Sequence, residues 1–297
     1  VFQLIPGFKS SFFRYSLFRI LFSAVIVTFL FHAKPVTGQL YNFRDYNTQN
    51  GFPQQNADHI LQDHNGYLWF STQVGAVRFD GQEYFILNTN KGLSFDIVRM
   101  TLEDEKNDLW IATRNGLCQY NGDTVISYFK EDGLPSNNVL HIWKTPDSKL
   151  WAMTSKGIAY QEYQTFNSIP GDLMIYCTYR DGNRVLAGTD NGILLQKDTS
   201  FVPFKKHILG GYEIHSIAKD PQGNYWLATH TRGLLKLKGD QLEQFNKSTG
   251  FVSNNVDDVL CDSQGNIWVG TEGNGVIKYD GSRFTHFSQE NGMTNTS

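Results

Sequence analysis

The chain has 297 residues, of which 14% are aromatic and 19% charged, with a formal net charge of −3. That aromatic content excludes an intrinsically disordered chain, and so little charge excludes a coiled coil. The acidic balance leaves no basic footprint for nucleic acid, and Cys118, Cys177 and Cys261 suit neither a paired disulfide framework nor a CxxC zinc site. Abundant glycine (27), with 22 Phe and 14 Tyr, favours many short strands joined by tight turns.

Residues 1–38 read as a signal peptide. Lys9, Arg14 and Arg19 precede the uncharged run Ile20–Phe31, and Val36-Thr37-Gly38 supplies small residues for a cut after Gly38. Twelve apolar residues are short for a membrane span, and an uncleaved anchor is the alternative reading. Without this segment the chain carries 22 basic and 29 acidic residues.

Beyond residue 40 the chain repeats itself. Leu68-Trp69-Phe-Ser-Thr72, Leu109-Trp110-Ile-Ala-Thr113, Leu150-Trp151-Ala-Met-Thr154, Tyr225-Trp226-Leu-Ala-Thr229 and Ile267-Trp268-Val-Gly-Thr271 are one motif, and Val185-Leu186-Ala-Gly-Thr189 is a sixth copy with Leu for Trp. The threonines are spaced by 41, 41, 35, 40 and 42 residues. A turn-forming stretch precedes each motif (Asp63-His-Asn-Gly66, Asp147-Ser-Lys149, Asp262-Ser-Gln-Gly265). A glycine and an apolar strand follow it (Gly75–Phe79, Gly116–Tyr120, Gly275–Tyr279). Each unit thus holds four short strands, too few to bury their own face. Units of this length predict an all-β, β-propeller fold of four-stranded blades, with a linear solenoid as the competing geometry. The tryptophans Trp69, Trp110, Trp151, Trp226 and Trp268 are expected as structural wedges between blades.

Six complete repeats are expected, at approximately 53–92, 93–133, 134–170, 171–210, 211–250 and 251–290, within a propeller domain over 39–297. Leu40–Tyr46 matches the last strand of a unit, and Asn291–Ser297 matches the turn that opens one. The simplest expectation is a fragment of a seven-bladed propeller, with one blade shared between the chain ends.

The pattern Asp-x-x-Gly-x-Leu/Ile-Trp-x-Gly/Ala-Thr-x-x-Gly-Leu/Val-x-x-Tyr/Phe-Asp-Gly resembles the two-component regulator propeller repeat. The resemblance implies the periplasmic sensor region of a Bacteroidetes-type hybrid histidine kinase, tethered to the inner membrane. The partners it implies are a second propeller and kinase modules in the same polypeptide, a homodimer, and an oligosaccharide-type ligand. No kinase motif lies in this segment, so the expectation is a non-enzymatic sensor propeller.

No GxSxG, HExxH, Walker or GxGxxG motif occurs in a supporting context, so no cofactor is expected. His59 and His64 are too weak a pair for a metal site, and Asp63 and Asp262 suit the capping of their own turns. Binding is the better expectation. The loops between second and third strands, together with the loops entering each first strand, carry Arg114, Lys156, Asp190, Tyr212, His230, Arg232 and Glu272. These guanidinium, amine, carboxylate and phenol groups suit sugar hydroxyls or uronates. Two alternatives stand beside a sensor: a scaffold for protein interaction, or a secreted lyase or glycosidase. For an enzyme, His230, Arg232 and Tyr212 form the grouping of interest at the channel mouth.

Overall fold

In the computed structural model, residues 43–44, 46–54 and 56–293 are described. The signal-peptide segment lies outside them. The described residues form six four-stranded antiparallel sheets, the blades of an all-β propeller. Blade 1 holds β1 (His59–Gln62), β2 (Leu68–Thr72), β3 (Gly75–Phe79) and β4 (Tyr84–Leu87). Blade 2 holds β5 (Val98–Glu103), β6 (Leu109–Thr113), β7 (Gly116–Tyr120) and β8 (Val125–Tyr128). Blade 3 holds β9 (Val139–Lys144), β10 (Leu150–Thr154), β11 (Gly157–Glu162) and β12 (Thr165–Pro170). Blade 4 holds β13 (Ile175–Asp181), β14 (Arg184–Thr189), β15 (Gly192–Lys197) and β16 (Ser200–Phe204). Blade 5 holds β17 (Ile214–Lys219), β18 (Tyr225–Thr229), β19 (Gly233–Lys238) and β20 (Gln241–Phe245). Blade 6 holds β21 (Val256–Cys261), β22 (Ile267–Thr271), β23 (Gly275–Tyr279) and β24 (Phe284–Phe287). Helix is minimal among the described residues: one four-residue piece, α1 (Lys206–Leu209), and single 3-10 turns before β1 and after β4, β8, β20 and β24.

The core is divided. Each of its five apolar clusters joins one blade to the next. Trp69, Ala76 and Leu87 of blade 1 pack on Val98, Leu109, Ile111 and Cys118 of blade 2. Trp110 of blade 2 packs on Ile142, Leu150 and Ala152 of blade 3. Trp226 of blade 5 packs on Val259, Ile267, Val269 and Ile277 of blade 6. A lone sheet exposes half of its apolar side chains, so stacking is what removes them from water.

In blades 1, 2, 5 and 6 the turn before the motif is fixed by its aspartate. Asp63 accepts the backbone N–H groups of Asn65 and Tyr67 on one oxygen and the Trp69 indole N–H on the other, all at 2.9 Å. Asp104, Asp220 and Asp262 hold Trp110, Trp226 and Trp268 in the same way, at 3.0, 3.0 and 2.9 Å. One carboxylate therefore caps the turn and orients the wedge. Hydrogen bonding holds the Asp262 carboxyl at about 2, with Asn266 and Trp268 as the main donors.

Blade 6 and blade 1 each leave one apolar face partly uncovered. Leu260 is 61% exposed and Ile60 57%, where their counterparts in other blades meet a neighbouring sheet. Phe43 lies 6.1 Å from Phe287 of blade 6, and Tyr46 lies 5.3 Å from Phe79 of blade 1. The expected seventh blade has no strand among the described residues.

One glycine shows how tightly consecutive blades meet. Gly133 follows the 3-10 turn Lys130–Asp132 at φ 101°, and a Cβ there would stand 1.9 Å from the Phe166 carbonyl oxygen. Gly133→Ala is expected to destabilise the fold by about 1–3 kcal/mol, read as a lower urea midpoint at unchanged slope. An unaltered midpoint would contradict this contact.

Candidate functional site

The loop between the second and third strands is locked in all six blades by the motif threonine. Its hydroxyl donates to the carbonyl of the following glycine, from Thr229 to Gly233 at 2.6 Å to Thr189 to Gly192 at 3.0 Å. In five blades the same oxygen also accepts a loop N–H, that of Lys156 or Arg232 at 3.2 Å for example. These loops then bond to the loop entering the next blade: Gly116 N–H to Asn137 O at 2.6 Å, Gly192 to Tyr212 at 2.6 Å, and Gly233 to Asn254 at 2.7 Å. Both loop sets therefore share one face, and their side chains stand on a rigid rim.

A second set of side chains reaches this rim from the inner strands. Register shifts fall near the start of β5, β9, β13, β17 and β21, leaving Arg99, Leu140, Tyr176, His215 and Asp257 as the extra residues. A bulge breaks alternation and re-aims its side chain. Three of these bulged residues build the site. Tyr176 stacks on His215 with ring centroids 4.5 Å apart, and His215 lies 5.2 Å from His230. His215 Nε2 is 2.9 Å from Glu213 Oε1. His230 Nε2 stands 3.8 Å from Asp257 Oδ1 and 3.7 Å from Glu272 Oε2. Glu272 also accepts from the Asn255 amide at 2.9 Å. Beside this group the Arg232 guanidinium lies 5.2 Å from the Tyr212 ring centroid.

The electrostatics follow from crowding. Burial raises the Asp257 carboxyl above the usual carboxylate range, Glu272 and Asp258 add to this, and His230 and His215 oppose it. Burial, and then the negative Glu213 and Asp190, raise the Tyr176 phenol. The site thus mixes hydrogen-bond donors and acceptors around two imidazoles and can take polar groups of either kind.

Of the residues expected from sequence, His230 and Glu272 meet directly, and Asp190 acts on the cluster through Tyr176. Tyr212 and Arg232 pair with each other. His230 has Asp257 and Glu272 within ion-pair distance. Arg114 and Lys156 are exposed on blades 2 and 3, and among the described residues no hydrogen bond or ion pair joins their side chains to the cluster. Sequence reasoning missed Tyr176, His215 and Asp257. A signal exists in blades 2 to 6: the residue after the β-branched start of the inner strand differs each time, as in Ile175-Tyr176, Ile214-His215 and Val256-Asp257.

Below the rim, His59, His141, Cys177, Ser216 and Asp258 occupy the inner strands. His141 Nε2 lies 3.1 Å from Thr178 Oγ1, and the Ser216 hydroxyl donates to Asp258 at 2.5 Å. Burial and the nearby His59 push His141 down to about 4, and burial drives the Cys177 thiol up to about 12. Among the described residues no group of three or more His, Cys, Asp or Glu could hold a metal ion. No described helix is long and apolar enough to cross a membrane.

Residues 51–73, 208–231 and 250–273 match the family model described as two component regulator propeller. No curated protein matches the chain. Among solved structures, the extracellular domain of what is described as a one component system from B. thetaiotaomicron aligns with TM-score 0.64 at 20% identity, covering 79% of this chain and 34% of that one. The extracellular domain of what is described as a hybrid two component system from the same organism aligns with TM-score 0.52 at 22% identity, covering 82% and 42%. A catalytically inactive virginiamycin B lyase from Staphylococcus aureus, solved with quinupristin, aligns with TM-score 0.57 at 10% identity, covering 77% and 82%. At these identities the likenesses show the fold, and the chain spans well under half of either extracellular domain. The described residues form a β-propeller, three stretches of which match the two component regulator propeller model.

Proposed function

We propose that this chain is the extracytoplasmic, ligand-sensing propeller of a two-component system, carried to the periplasm by residues 1–38. Its ligand is an oligosaccharide held on the loop face, and its signal passes to kinase modules encoded with it. A second propeller and a homodimer belong to the same reading. The observation that carries it is the rim cluster: His215, His230, Asp257 and Glu272 on two successive blades, held by threonine-locked loops. Directional donors and acceptors on a rigid frame suit a hydroxyl-rich ligand, because little order has to be created on binding. The repeats and the shared fold with sensor ectodomains point the same way.

Calorimetry with a panel of neutral and uronate-containing oligosaccharides tests this. At least one oligosaccharide is expected to bind and be recovered uncleaved. His230→Ala combined with Glu272→Gln is expected to weaken it at least about tenfold by removing charge-assisted bonds, at unchanged thermal midpoint. No binding across the panel would sink the carbohydrate assignment. Cleavage would favour a second reading, a propeller lyase. The stacked Tyr176, His215 and His230 beside Glu213 are the groups that an acid–base step would use.

A further inference from the structure

The tryptophan wedge is incomplete in one blade. Four of the five wedge tryptophans donate their indole N–H to the aspartate six residues earlier. In blade 3 that position is Thr145. Its N–H bonds to Lys149 O at 3.0 Å, just as Asp63 N–H bonds to Tyr67 O and Asp220 N–H to Asn224 O, so the turn is the same and only the carboxylate is missing. Trp151 is 1% exposed, and among the described residues its indole N–H has no hydrogen-bond partner. A buried, unpaired donor costs about 1–3 kcal/mol and calls for an explanation.

A cavity of about 390 Å³ lies against this indole, lined by Thr145, Lys149, Asn183, Asp198 and others. It opens among the β9–β10, β13–β14 and β15–β16 turns, at the strand ends opposite the loop rim. Equivalent clefts occur between blades 1 and 2 and between blades 5 and 6, but there Asp63 and Asp220 line the cleft beside Trp69 and Trp226 and satisfy their indoles. Trp143 takes up part of the space, stacking on Trp151 at 5.7 Å and donating to Gln196 at 2.9 Å. The remaining void lacks an acceptor where a carboxylate stands in blades 1, 2, 5 and 6.

We propose that the cleft between blades 3 and 4 is a binding site for a small hydroxy carboxylate, whose acid group replaces the missing aspartate. The acid accepts the Trp151 indole N–H and lies in the field of Lys149, which lines the cavity with its ammonium 4.9 Å from the Tyr160 ring centroid. The ligand's hydroxyls meet the Asn183 amide and donate to the Asp147 and Asp198 carboxylates, which line the same cavity. The two aspartates disfavour a bare anion and select one that also carries donors. The site is independent of the loop rim and of any ligand bound there.

The six tryptophans give six indole signals in ¹H–¹⁵N spectra of the full chain, and Trp151→Phe assigns that of Trp151, with Thr145→Asp as a second means. Sodium acetate and sodium gluconate serve as probes, acetamide and sorbitol as their uncharged counterparts. Gluconate is expected to shift the Trp151 signal saturably and at lower concentration than acetate, while acetamide and sorbitol leave it in place. Thr145→Asp is expected to move the signal with no acid added and to abolish the response. Lys149→Met, at a half-exposed position, is expected to weaken gluconate at least about threefold. A signal unmoved by both acids would make water the acceptor and overturn the proposal. So would an equal shift with sorbitol, or a gluconate response that survives in Thr145→Asp.

Discussion

Trp226→Ala is expected to lower the stability of the chain by about 3–5 kcal/mol, the usual cost of emptying a large buried aromatic site. Trp226 is 1% exposed. Its ring stacks on Phe245 at 5.8 Å and meets Tyr279 of the next blade at 5.3 Å, with the Lys236 ammonium 4.7 Å from its centroid. Truncation removes this contact area and also strips Asp220 of one of the donors that hold its carboxyl below the ordinary range. Trp268 has the same aspartate and a similar stack, on Phe287 at 5.7 Å, yet it is only half-buried because no further sheet covers it among the described residues. Trp268→Ala is therefore expected to cost less than half as much. Urea midpoints of the two variants at unchanged slope check this. Equal losses would mean that the stack within a blade, and not the contact between blades, carries the stability.

The architecture was legible because the repeat is written in chemistry that each blade needs separately. The tryptophan wedges, the turn aspartates and the threonine-glycine pairs recur at intervals near 40 residues, and each interval is one sheet. The rim was only half legible. Loop residues such as His230 and Glu272 stand out as departures from the repeat, and the structure joins them. Tyr176, His215 and Asp257 lie inside strands, where period-2 alternation assigns a side chain to one face or the other. A bulge adds one residue to one strand, and its position depends on pairing that the sequence does not record. Thr145 went unnoticed for a simpler reason. Asp147, two residues on, looks like the turn acid of blade 3, but the Thr145–Lys149 backbone bond puts Thr145 in that role and Asp147 level with Asn65. Counting six residues back from each tryptophan separates blade 3 from its neighbours.

Acidification from pH 7 towards pH 4 is expected to destabilise the chain by about 2 kcal/mol through His141 alone, allowing for the part of its surface that still meets solvent. Burial lowers His141 from 6.5 to about 4, and burial lowers His59 as well. Below pH 6.5 the unfolded chain therefore binds protons that the folded one refuses. Stability is complete above 6.5 and falls as the pH drops towards 4. His141 sits between Trp143, stacked at 5.9 Å, and Thr178, its hydrogen-bond partner across the blade junction, and the neighbouring His59 disfavours its charge further. The depressed carboxylates act in a separate, lower window. Asp181, held near 2 against its burial by Lys219, Tyr225 and Arg184, contributes stability above 3.8 that is lost between 3.8 and 2. Asp257, raised by burial, works in the opposite sense and is relieved as it protonates. His141→Gln keeps an amide to meet Thr178 and removes the proton site. Its urea midpoint is expected to change far less than that of the parent chain between pH 6.5 and 4.5, while both fall together below 3.8. Parallel curves through the upper window would show that His141 is open to protonation in the folded chain, and that the channel at this depth is wet.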